Sequence, residues 1–302
     1  MTFVQFSSMK VSEVPDPRVF LRQVGPWLAQ REAENCYILG DLGDLAAEHG
    51  RIAPRARLFT LHDGDLLCSV AVLYGDGTLM ITWCTLEMVN AWVTGLANAN
   101  CKVGRIFAPA YTSGRFSEQW AQTFRMAREI GQAERIFQLS RLSYTAPTNG
   151  RLELATPADA AMLKPWFEGF SSETDFQVTG EALYHTRDEL ISRKQLFLWK
   201  DPQPRAMAAW VRPTPHGASI NFVFVPPAQR GKGLGKAVAA TMAQQMLASG
   251  LRYCFILTDA GDLRNNRLYQ SIGARTVAEL LLCKIVAPSV PTPPPAGIRF
   301  SR

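Results

Sequence analysis

Hydrophobic positions along this chain change period repeatedly, and the order in which they change occurs twice. Residues 17–30 and 31–48 carry apolar side chains every three or four positions and predict two helices. Three short runs follow at 57–61, 66–73 and 78–83, each rich in β-formers and bounded by turn residues. "HDGD" joins the first pair and "YGDG" the second, and both carry the Asp-Gly chemistry of tight hairpins. The pattern then predicts a helix over 86–97, a strand in "KVGRIFAPA" (102–110), a helix over 117–129 and a strand in "RIFQLSRLSY" (135–144).

After "TAPTNGR", a short Pro, Gly and Asn linker at 145–151, the same order resumes behind one extra strand, "RLELA". Thr156 is the expected N-cap of the next helix, with Pro157 at its first position and Asp159 in its first turn. The loop "SSETDFQV" leads to a helix over 181–193 and then to the strands "QLFLWK", "AMAAWVR" and "SINFVFV". A glycine-rich turn precedes a helix that runs to Ser249, with Gly250 as its C-terminal cap. The strand "YCFILT", a helix over 263–272 and a strand over 278–286 complete the series, and a Pro-rich tail follows. The expected class is α+β, with mixed, mostly antiparallel sheets flanked by helices. The expected domains are 1–145 and 150–287, with the tail at 288–302. Element order alone hints at a duplicated unit.

Composition narrows the class. Of 302 residues, 47% are apolar and 19% charged, so a sizeable core can form and wholesale disorder is not indicated. The net charge of +6 comes from scattered residues, with no basic stripe interleaved with aromatics, so nucleic acid is not an expected partner. Six cysteines show no C-x-x-C pair, which argues against a zinc site or disulfide scaffold and for a reducing compartment. No signal-like start or membrane-length apolar run is found, so the expectation is a cytoplasmic protein with no membrane partner and no metal. Homodimerisation is left open.

The stretch that carries chemistry is "PPAQRGKGLGKAVAA", 226–240. It is not a P-loop, because Gly235-Lys236 is followed by Ala237 and position 230 is arginine. It is a poor dinucleotide fingerprint, because the third glycine position is Lys236. It fits Arg/Gln-x-x-Gly-x-Gly between a strand and a helix, through Arg230, Gly233 and Gly235. Successive amides of such a turn, backed by a helix N-terminus, suit a pyrophosphate. Arg230, Lys232 and Lys236 add positive charge, while Leu234, Val238, Met242 and Met246 recur at a spacing of four and anchor the helix. A plain surface loop is the bland alternative.

With "NNRLYQSIGAR" (265–275) downstream, residues 150–286 resemble the GNAT acyltransferase superfamily, most strongly over 219–275. Ala274 stands where relatives carry an aromatic. The resemblance implies acetyl-CoA as cosubstrate, with the backbone of Val223 and Val225 beside the pantetheine arm. It implies amides of Gly231, Lys232, Gly233, Leu234, Gly235 and Lys236 on the pyrophosphate, with Arg230 at the mouth. Asn266, or Asn265 one position earlier, would touch the cofactor. Tyr269 would protonate the departing thiolate.

Proton removal from the acceptor amine requires a base. Asn221 occupies the strand position where many relatives carry glutamate, and Glu168, Glu173 and Asp175 are the nearby substitutes, with Glu173 first among them. His185 and His216 read as solvated or structural. The first half has no equivalent turn, since "CTLEMVNAWV" holds neither glycine nor a basic residue, so it reads as a degenerate copy. The leading expectation is an acetyl-CoA-dependent N-acetyltransferase acting on a primary amine of a small molecule or an exposed protein amino group. The alternative is a non-catalytic acyl-CoA-binding or regulatory module.

Overall fold

A computed structural model describes residues 9–47, 56–145, 150–174 and 178–288. Most of the 145–151 linker, Asp175 and nearly all of the tail lie outside the described residues. The first series of elements is β1 (Met9–Glu13), α1 (Pro17–Leu28), α2 (Cys36–Ala46), β2 (Arg57–Asp63), β3 (Leu66–Leu73), β4 (Thr78–Ile81), α3 (Leu86–Asn98), β5 (Arg105–Pro109), α4 (Ala110–Phe124) and β6 (Ala127–Leu139). The second is β7 (Arg151–Leu154), α5 (Ala160–Glu173), α6 (Gly180–Ser192), β8 (Leu196–Asp201), β9 (Gln203–Val211), β10 (Gly217–Phe224), α7 (Leu234–Ala248), β11 (Tyr253–Asp259), α8 (Leu263–Ser271) and β12 (Arg275–Val286).

The two series match element for element. The sequence reading missed β1, a five-residue, largely half-buried strand, and with it the repeat is complete.

The structure corrects one helix. Residues 117–129 were expected to form it, but α4 starts at Ala110 and stops at Phe124. Phe116, Trp120 and Phe124 stack at helical spacing, with ring centroids 5.4 and 4.5 Å apart. Arg125 then takes a left-handed conformation (φ 53°) as C-cap, and Met126 N–H donates to Ala121 O at 2.8 Å. The helix-forming residues after it are drawn into β6, which is thirteen residues long.

Two compact units are present, and they interleave along the chain. The first comprises residues 9–13, 59–132 and 281–288. Its strands run β1-β2-β3-β4-β5, with β4 and β5 parallel, and the end of β12 lies beside β5, where Ile285 N–H donates to Gly104 O at 2.9 Å. Trp92 of α3 and Phe116 and Trp120 of α4 bury against Leu61, Leu79 and Ile106 of its strands. Burying rings of this size supplies several kcal/mol to the unit.

The second unit takes, of the described residues, 14–47, 56–58, 133–145, 150–174 and 178–280. Its strands run β7-β8-β9-β10-β11-β6, then the start of β12, all pairing antiparallel in the assigned registers except β10 with β11. Helices α7 and α8 cover one face through Val238, Met242 and Tyr269 against Ala218, Ile220, Ile256 and Phe137. Helices α5 and α6 cover the other through Phe167, Phe170 and Leu190 against Leu198, Met207 and Phe222. Helix α2 also packs on β10. Its Gly40 lies against Arg212 so closely that a Cβ would fall 2.3 Å from Arg212 Cβ.

Candidate active site

Strand β10 bends where the chemistry was expected. Its register with β9 shifts between Asn221 and Phe224, and Phe222 sits at φ 52°, a conformation rare for an aromatic residue. Asn221 Oδ1 accepts from Phe222 N–H at 2.6 Å and holds the bulge. The bulge directs the Phe222 ring onto Phe167 and Phe170, at 5.4 and 5.0 Å. Phe224 lies on Gly169 of α5, where a Cβ would meet its ring at 2.6 Å.

The parallel pairing of β10 with β11 runs from Gly217↔Tyr253 to Ile220↔Ile256, while the strands continue to Phe224 and Asp259. The two therefore part beyond Ile220. The half-buried Val223 and Val225 border the resulting slot, as a strand edge that an extended ligand can pair with.

Above the slot, Pro226 begins a short 3-10 turn over Pro227–Gln229. Gly231 (φ 80°) and Gly233 (φ 74°) are both left-handed, and a Cβ at either would meet no protein atom within 4 Å. Gly233 is the N-cap of α7 and supplies no side chain, so the amides of Leu234, Gly235 and Lys236 at the first turn have no capping partner. Fifteen residues of aligned peptide dipoles stand behind them. Uncapped amides at a helix N-terminus are the kind of arrangement that suits an anion.

The cations of the turn are tethered. Arg230 Nε donates to Val225 O at 2.9 Å, and one terminal nitrogen reaches both Glu173 oxygens at 2.7 Å. Glu173 at the end of α5 thus faces Arg230. Lys232 Nζ donates to Gln229 Oε1 at 3.1 Å, and Lys236 Nζ lies 4.1 Å from the centre of the Tyr144 ring.

Tyr269 is buried on α8, its ring 6.2 Å from Phe137. Burial, with a smaller contribution from Asp262, pushes its hydroxyl up to about 12, so it holds its proton at neutral pH. Asn266 is buried too, and its amide is engaged on every side: Nδ2 donates to Asp259 O and Ala260 O, and Oδ1 accepts from Thr258. It ties the end of β11 to α8. Asn265 is exposed and donates to Asp262 Oδ2 at 2.7 Å.

Glu168 is exposed and accepts from Tyr184. His185 is exposed. The main-chain N–H of His216 and its ring Nδ1 meet the buried Glu32 carboxylate at 2.8 and 2.7 Å, a structural contact. Sequence reasoning did not see the Arg230–Glu173 pair, because the partners are 57 positions apart.

The equivalent position in the first unit is built differently. Thr85 Oγ1 caps α3 by accepting from Met88 N–H at 3.3 Å, and Glu87 puts negative charge in the first turn. Cys84 N–H donates to Thr112 Oγ1 at 2.9 Å, joining the segment after β4 to α4. A capped, acidic helix start disfavours an anion.

Residues 161–274 match the sequence model of the Acetyltransferase (GNAT) family. This stretch is a GNAT domain. No curated protein sequence matches the chain significantly. Among solved structures, the chain is similar to a GNAT-family acetyltransferase from Colwellia psychrerythraea at 15% identity and TM-score 0.57, covering 92% of this chain and 99% of that one. A GCN5-related N-acetyltransferase from Sphaerobacter thermophilus is similar at 12% identity and TM-score 0.59, with coverage of 93% and 97%. A tandem GNAT protein from the clavulanic acid biosynthesis pathway matches at 11% identity and TM-score 0.54, over 94% of this chain and all of that one. Identities this low carry the fold, and the fold they share extends over both halves. The first half is therefore GNAT-like in fold although the family match lies in the second. Among the described residues, no group of three or more His, Cys, Asp or Glu side chains could hold a metal ion, and no helix is long and apolar enough to cross a membrane.

Proposed function

We propose that the GNAT domain binds acetyl-CoA and transfers its acetyl group to the primary amine of a small molecule or to an exposed protein amino group. The observation that carries this reading is the uncapped N-terminus of α7, preceded by two left-handed glycines and bordered by the slot between β10 and β11. The pyrophosphate would take the amides from Gly231 to Lys236, with Arg230, Lys232 and Lys236 screening its charge. The pantetheine arm would run along Val223 and Val225. Arg230 already occupies one acceptor on that edge, the Val225 carbonyl.

Asn266 would act by holding the floor of the site, and Tyr269 would return a proton to the thiolate. The ion pair with Arg230 suits Glu173 to steadying the turn more than to removing a proton. Residues 1–145 would be a degenerate repeat that lacks a cofactor site, 150–287 the catalytic repeat, and the protein cytoplasmic.

Calorimetry with acetyl-CoA, followed by thiol release on a panel of primary amines, tests this. One binding site per chain and amine-dependent turnover are expected. Two equivalent sites would overturn the reading of the first half. The non-catalytic alternative rests on Asn221, whose amide cannot accept a proton and whose oxygen is already bound to Phe222. Binding without turnover on any amine would favour it.

A further inference from the structure

Attack on a thioester lodged between β10 and β11 has a direction. Tyr269, α7 and α8 lie on one face of the second unit's sheet. Thr258 points to that face, since its hydroxyl meets Asn266 of α8, and its register partner Arg135 shares it. The next pair along, Asp259↔Glu134, therefore points to the opposite face, from which Phe222 also projects. On the acetyl-CoA reading, an amine approaching from that side would attack the acyl carbon from the face opposite Tyr269.

We propose that Glu134 is the group that takes the proton from the acceptor ammonium. This rests on the acetyl-CoA reading above and assigns the base that reading leaves open. Glu134 is half-buried and stands level with Asp259, three residues past the last paired residue of β11, Ile256. That is about 10 Å along the strand and one strand over, and as base Glu134 would have to reach the acceptor ammonium directly or through one water.

A Tyr37 hydroxyl from α2 donates to Glu134 Oε2 at 3.3 Å. Arg212 lies 4.3 Å from the centre of the Tyr37 ring and donates to Asp41 Oδ1, which fixes α2 against the sheet. Burial pushes the Tyr37 hydroxyl well up, so it stays a donor and orients the carboxylate. Arg212, Glu134, Cys36 and Asp41 are the ionisable groups acting on the Tyr37 hydroxyl, and Asp259 shares Glu134's register position on β11.

The other acids near the site have other work. Asp259 Oδ1 accepts from Gly261 N–H and shapes the turn after β11. Glu173 is paired with Arg230, and Glu168 is exposed on α5, whereas Glu134 is half-buried.

The step balances. Glu134 takes one proton from R–NH3+, the free amine forms the C–N bond, and the C–S bond breaks to leave the thiolate. The nitrogen's second proton goes to solvent as the tetrahedral adduct collapses, Tyr269 gives its proton to the departing thiolate, and the resulting phenolate is reprotonated from solvent, so that one proton is released overall. Glu134 then releases its proton to water.

Three variants test the assignment, after calorimetry has shown that the wild type binds acetyl-CoA and with an amine it acetylates as probe. Glu134→Gln keeps an acceptor for Tyr37 and should bind acetyl-CoA within about 2-fold of wild type. Its kcat/KM should fall about 10²- to 10³-fold and lose its acidic limb. In Glu134→Ala, added formate should restore part of the rate, an outcome that a purely structural role does not produce. Tyr37→Phe should move the acidic limb to higher pH, because the carboxylate loses a donor. A Glu134→Gln enzyme with the wild-type rate and pH profile overturns the assignment, as does an alanine variant that folds and ignores formate. Failure of the wild type to bind acetyl-CoA would instead overturn the function reading.

Discussion

Arg230 donates to the carbonyl of Val225, five residues before it, at 2.9 Å. The glycine-rich turn is thereby clamped onto the strand edge that borders the slot, and the same guanidinium is held from α5 by Glu173. Arg230→Ala should weaken acetyl-CoA about 10-fold by calorimetry, as expected for loss of one charge-assisted contact. Its melting temperature should drop by no more than a few degrees, because an exposed ion pair contributes about 0–1 kcal/mol. Glu173→Gln separates positioning from catalysis. A rate within about 2-fold of wild type fits a residue that steadies Arg230, whereas a loss near 10²-fold would make Glu173 the base.

The glycines of the turn differ in what they tolerate. A Cβ at Gly233 meets no protein atom, so Gly233→Ala should cost only the strain of φ 74°, about 1 kcal/mol, yet weaken acetyl-CoA at least 10-fold by filling the ligand's space. At Gly235 a Cβ points to Leu268 and Val225 at 3.5 and 3.7 Å, ordinary contact distances. Gly235→Ala should therefore leave the melting temperature unchanged or slightly raised and affect binding less. Equal affinities for Gly233→Ala and wild type would place the pyrophosphate elsewhere.

Tyr269→Phe should lower turnover about 10²-fold with acetyl-CoA affinity nearly unchanged, because the ring and its packing on Phe137 remain. With the hydroxyl near 12 in the fold and about 10 when unfolded, Tyr269 favours the folded state equally at every pH below 10. That contribution falls as pH rises from 10 to 12. A Phe variant with normal turnover and stability would remove Tyr269 from the chemistry.

Five of the six cysteines are buried, and only Cys68 is half-exposed. Burial raises Cys36, Cys84 and Cys254 from 9 to about 12. A thiol reagent should label about one cysteine per folded chain, and all six only in denaturant. Unfolded thiols ionise from pH 9 while the buried ones hold their protons. Stability should therefore fall between pH 9 and 12, by up to about 1.4 kcal/mol per pH unit for each such thiol. Denaturant titrations at pH 8 and 10.5 measure the slope; equal stability at both would contradict it.

The sequence by itself determined the element order apart from β1, the glycine-rich turn between a strand and a helix, and the placing of Tyr269 and Asn266 on the helix that follows β11. All of these are local: a left-handed residue, a helix start and an apolar period are written in neighbours a few positions apart. Even there, the α4–β6 junction escaped it, because residues with good helix propensity were claimed by strand pairing. Only the tertiary structure decided that Arg230 pairs with Glu173, that the Asn266 amide is used up holding β11 to α8, and that β6 pairs with β11. The same holds for Tyr37 and Glu134, 97 positions apart, on the face opposite Tyr269. Which distant strand lies beside which, and hence which carboxylate faces the slot, depends on long-range packing that no local pattern records.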